Sequence, residues 1–156
     1  PRSAGSISRS CARADSAMDL GRPREAVEHY QQHLSANPDD LGASVRLALA
    51  LIESGRAAEG IERLHALYVA NPALADVSLG VIAEPWGEVR LRAIVVKSVS
   101  HANRADSAAA WLTVAALMEA EGRNELALKM AGRARAAGLD SDVSSRLAAM
   151  IEAPGP

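Results

Sequence analysis

The sequence predicts an all-α chain built from repeated helix pairs, and three observations predict it. Of 156 residues, 49% are apolar yet only 3% are aromatic, with no Phe. Alanine alone accounts for 33 residues, the largest share of that apolar fraction. Ala costs least in a helix and lets two backbones approach, so close-packed Ala-rich helices replace a core built on large rings. Second, Gly plus Pro amount to 18 residues and 23% of the chain is charged, which excludes a low-complexity or disordered polymer. Third, the chain aligns with itself at an offset of 34. Gly21 falls on Gly55, Ala26 on Gly60, Tyr30 on Leu64, and Asn37-Pro38 on Asn71-Pro72. The length suits one domain.

The elements follow from that register. Residues 1–6 read as an arm. The first unit, 7–40, is an apolar-periodic stretch, a turn at Gly21-Arg22, a second periodic stretch and a stop at Asn37-Pro38. The second, 41–74, repeats this with Gly55-Arg56 and Asn71-Pro72. Gly21 and Gly55 supply the left-handed conformation that ends a helix. Ala26 and Gly60 mark the closest crossing of each pair, Tyr30 and Leu64 fill the gap toward the next helix, and the prolines stop the second helix.

Period 34, turn glycine, small residue five later, aromatic or Leu nine later and terminal Pro together resemble the tetratricopeptide repeat. The resemblance implies a right-handed α-solenoid, and it extends to residues 108–140. There Gly122, Ala127, Ala131 and Ala134 match the turn and packing positions, and Trp111 stands where the family often has Trp. Asp106 or Ser107 caps its start, and Gly138 with the cap Asp140-Ser141 replaces the missing terminal Pro. Gly122 lies 67 residues after Gly55, so a further unit must occupy 75–107. It reads as a divergent helical pair with its turn near Gly87 and a helical stripe of Leu91, Ile94, Val95 and Val99; an irregular insertion is the alternative. Residues 141–153 place Val143, Leu147, Met150 and Ile151 on one face, as a capping helix would; a dimerising helix is the alternative.

The resemblance also implies a function: a non-enzymatic scaffold or adaptor holding a partner polypeptide in its concave groove. Carried over by the register, the groove positions are Val45, Leu49, Ile52 and Glu53 in the second unit, Leu79 and Ala83 in the divergent one, and Leu112, Ala116 and Glu119 in the last. Most are apolar, so the implied ligand is an apolar or amphipathic segment; the alternative is that part of this surface packs within the chain, against a neighbouring first helix or the N-terminal arm. The corresponding first-unit positions, Ser8, Cys11, Asp15, Met18 and Asp19, lack the Lys, Asn and Arg with which family members grip a C-terminal carboxylate. Trp86, beside Pro85, reads either as an exposed anchor for a partner or as a wedge between helices.

Other chemistry finds little support. No phosphate loop, dinucleotide fingerprint, nucleophile elbow, zinc-protease or Cys-pair motif occurs. His29 and His33 share a helix face, but without a third ligand they read as surface and inter-helix histidines, and His101 reads as a helix-end residue. Cys11 is the only cysteine and reads as a structural thiol. The expectation is therefore no cofactor, no metal and no catalytic residue. A net charge of −2 gives nucleic acid or an anionic membrane no global attraction. The basic exception is the start, where Arg2, Arg9, Arg13, Arg22 and Arg24 face only Asp15 and Asp19. No apolar run is long enough for a membrane span. Fifteen arginines against two lysines, with the alanine excess, resemble bacterial proteins from GC-rich genomes. The expected location is cytoplasmic, with the periplasm as alternative. The chain starts with Pro1, which reads as a processed or excised piece, so the targeting region of a bacterial glycosyl- or sulfotransferase is the second functional reading. An RNA-binding helical repeat is the third.

Overall fold

Each turn glycine of the register ends a helix in the computed structural model, which describes residues 4–153 and, for side chains, Arg9 onward. Helices α1 (Ala4–Asp19) and α2 (Pro23–Ala36) form the first pair, α3 (Leu41–Glu53) and α4 (Ala57–Ala70) the second, and α7 (Ala108–Ala120) and α8 (Asn124–Ala136) another, followed by α9 (Ser141–Glu152). At Gly21, Gly55 and Gly122, φ is +74°, +97° and +78°. Around each the same bond closes the helix end: Arg22 N–H donates to Ala17 O, Arg56 N–H to Leu51 O and Arg123 N–H to Met118 O, all at 2.8–2.9 Å. This is the left-handed C-cap that a side-chain-free residue permits at least cost. A Cβ built on Gly60 would lie 2.4 Å from Ala48 O, so the α3–α4 crossing admits nothing larger.

N-caps set the other ends. Asp40 accepts from Ala43 N–H at 3.0 Å, Ser107 from Ala110 N–H at 3.1 Å, and Asp140 from the N–H groups of Asp142 and Val143. Asp106 adopts φ +46° and accepts from Trp111 Nε1 at 2.7 Å, while Arg133 covers the other side of that ring at 4.7 Å. Trp111 thus locks the start of α7. Helix α9 buries Val143, Leu147 and Ile151, with Met150 half-buried, against α8 and a 3-10 turn at Pro72–Asp76.

The divergent stretch departs from a helix pair. Its first half is that 3-10 turn, a single-turn helix α5 (Leu79–Ile82) and another 3-10 turn at Glu84–Trp86; its second half is the 19-residue α6 (Gly87–Ala105). Pro72, Gly80, Pro85 and Gly87 fragment the first half, since each removes an amide donor or weakens a helix interior. Consequently α7 packs directly on α4, as the next unit of an unbroken stack would, and α6 lies along α1, α3, α4 and α7. His101 sits a turn before the end of α6, which runs on to Ala105. Of residues 1–6, read as an arm, 4–6 belong to α1 and 1–3 lie outside the described residues. Among the described residues there is no strand, and no helix is long and apolar enough to cross a membrane.

Candidate functional site

The expected inner-face positions lie on α3, α5 and α7 and their flanks, and the chain covers most of them with its own residues. Val45, Leu49, Ile52, Leu79 and Leu112 are fully buried, Ala83 and Ala116 are buried, and Glu53 retains only 7% exposure; Glu119 is half-buried. The structure therefore covers these residues, with α5 and α6 packed against α3 and α7, rather than leaving them facing solvent. In this conformation none of the fully buried ones is presented to another molecule. The amino-acid signal for this closure lies in α3 and α7. Residues 47–52 read Leu-Ala-Leu-Ala-Leu-Ile without a polar side chain, and Thr113 is the only polar residue between Ala108 and Met118. A helix lining an open groove keeps one wet side, whereas a helix apolar all round is covered all round.

Trp86 is not a surface anchor. It is buried to 2% exposure, its ring centroid 6.3 Å from that of Tyr30, and its Nε1 donates to Tyr30 Oη at 3.0 Å. Tyr30 in turn donates a very short bond to Asp15. The indole thus plugs the α1–α2 end of the inner face, because an indole N–H needs a partner once buried and Tyr30 with Asp15 supplies it. Burial, reinforced by the Asp15 carboxylate, raises the Tyr30 phenol far above its ordinary value of 10.0, so it stays a donor.

Two polar clasps hold the segment down. Arg46 on α3 donates from Nε to Ile82 O at 2.9 Å and lies 3.4 Å from Asp15 Oδ2. At the end of α3, Glu53 pairs with Arg90 at 2.9 Å and with Lys97 at 3.5 Å, and Lys97 Nζ also donates to Glu53 O. None of Arg46, Arg90 and Lys97 was marked by spacing, since their partners lie 31 to 44 residues away in sequence. Cys11 is 3.7 Å from Arg46 Nη1, and burial together with Asp15 raises its thiol above the ordinary value of 9.0. That favours an inert thiol.

The histidines are dispersed. His33 is buried with Nε2 2.8 Å from Asp40 Oδ2, and His29 lies 3.8 Å from Glu25. Among the described residues, no group of three or more His, Cys, Asp or Glu is placed to hold a metal ion.

The helix pairs, their glycine turns and the small crossing residues are those of one repeat family. Residues 17–77 match the tetratricopeptide repeat family. The match covers the end of α1, all of α2 to α4 and the first 3-10 turn, the part of the chain with the clearest 34-residue register. It ends where the chain leaves that register for α5 and α6. Tetratricopeptide repeats generally mediate protein–protein interactions, and the all-α helical-repeat solenoid agrees with the match. A comparison with curated proteins returns no match.

Proposed function

We propose that the chain is a non-enzymatic interaction scaffold whose tetratricopeptide-repeat inner face receives an apolar or amphipathic helix of a partner polypeptide. One observation carries the reading. Helix α6, whose Leu91, Ile94, Val95 and Ala102 are buried, packs against α3, the helix that carries Val45, Leu49 and Ile52. A groove that accepts an amphipathic helix of its own chain has the shape and polarity to accept one from elsewhere. The net charge of −2 favours a polypeptide over nucleic acid.

Access then depends on the grip on α6, and the ionic clasp at Glu53 is its most separable part. Glu53→Gln with Arg90→Ala and Lys97→Ala loosens α6 without removing an apolar contact and without leaving a buried carboxylate unpaired. Recovery of partners from the source lysate is expected to rise several-fold over wild type, with circular dichroism reporting an intact helical fold. Equal recovery by both proteins would remove the groove from the reading. Leu49→Arg is unsuitable for this purpose, because it places an unpaired charge at a fully buried position.

A further inference from the structure

The stack has a second groove, between α1 and α2. A cavity of about 580 Å³ opens there, with Ala12 and Leu20 as its apolar surface and Arg9, Arg13, Arg22 and the acid Glu25 at its rim. Leu20 is 66% exposed there. Arg9 and Arg13 have no ion pair among the described residues, and Arg22 reaches only Glu25, at 3.9 Å.

The repeat itself shows what such a groove receives. At the offset of 34, Arg9, Arg13 and Ser16 correspond to Ala43, Leu47 and Ala50, all buried on α3, the helix against which α2 packs. On α1 the equivalent positions are exposed, and two of the three are arginine. The site keeps the form of a helix seat while its rim has turned cationic. We propose that this face binds an acidic amphipathic helix of a partner protein, its apolar stripe on Leu20 and Ala12 and its carboxylates against Arg9 and Arg13. This surface is independent of the inner face, so either reading can fail without the other.

The probe is a labelled synthetic helix of about 18 residues, five turns, with a Leu/Ala stripe flanked by Glu, compared with the same peptide carrying Lys for each Glu. Binding to the full chain is read by fluorescence anisotropy, at low and at high salt. The Glu peptide is expected to bind at least about tenfold more tightly than the Lys peptide and to weaken with salt. Arg9→Glu with Arg13→Glu, both exposed and so harmless to the fold, reverses the preference, and Leu20→Ala weakens the Glu peptide several-fold. Equal or absent binding of the two peptides overturns the proposal and leaves the face a solvated polar end of the stack. Sedimentation at rising protein concentration separates the remaining occupant. Self-association lost on reversing the two arginines would assign the face to a second copy and equally overturn it.

Discussion

At Asp40 one carboxylate joins two units: Oδ1 caps α3 through Ala43 N–H and Oδ2 meets the buried ring of His33 at the end of α2. Burial alone would push this acid up, but the Ala43 amide, the His33 ring and the Arg46 charge together hold it below its ordinary value of 3.8. A lowered folded-state value means stability that is complete above the unfolded value and lost as pH falls through the folded one. Asn caps a helix as well as Asp, so Asp40→Asn isolates the charge. Urea unfolding is expected to show the variant less stable than wild type near neutral pH, the difference beginning to shrink below about pH 4 and vanishing only once the pH has fallen through the lowered folded value. Asp40→Ala removes the cap as well, costing about 1 kcal/mol more. Glycines give a paired test at the same scale. Gly60→Ala drives a methyl into Ala48 O and Ile52 and should cost about 1–3 kcal/mol, whereas Gly132→Ala, within α8 and with nothing within 4 Å, should gain about 0.5–1 kcal/mol. Thermal melts of the two variants should move in opposite directions.

Among the elements, α1 to α4 and α7 to α9 were legible because their signals are local. A turn glycine, a capping Asp or Ser and an apolar stripe act within four residues of one another. Residues 75–107 were only half legible. The stripe of Leu91, Ile94 and Val95 marks α6, but Gly80, Pro85 and Gly87 break what the repeat period assigns to a full helix. Trp86 shows the limit of local reading, since a Trp beside a Pro is equally suited to a surface anchor and to a plug. Tyr30, 56 residues earlier, decided between them by accepting its N–H. Trp86→Ala is expected to cost about 3–5 kcal/mol and to free α5 and the start of α6 first. Hydrogen exchange should show amides of 79–95 losing protection while those of α8 and α9 keep theirs.

For the whole molecule, α6 changes the character of the solenoid. A stack in which each unit touches only its neighbours unfolds in steps, whereas here one helix contacts both repeats of the matched region and the unit after them. Unfolding is therefore expected to be a single transition. Trp86→Phe leaves Trp111 as the only reporter and Trp111→Phe leaves Trp86, and each variant should give a fluorescence midpoint that coincides with its own circular dichroism midpoint. Separate midpoints would mean that α6 does not couple the units. By itself, the sequence determined the helical class, the 34-residue pairing, the turns and the residues that meet at each crossing, because these depend on contacts a few positions apart or on repetition. It also pointed to Val45, Leu49, Ile52, Leu79 and Leu112 as candidates for an inner face, all of them buried in the structure. Only the tertiary structure decided that this face is occupied, since closure depends on where α6 lies and on ion pairs spanning some forty residues, for which neither spacing nor composition carries a signal.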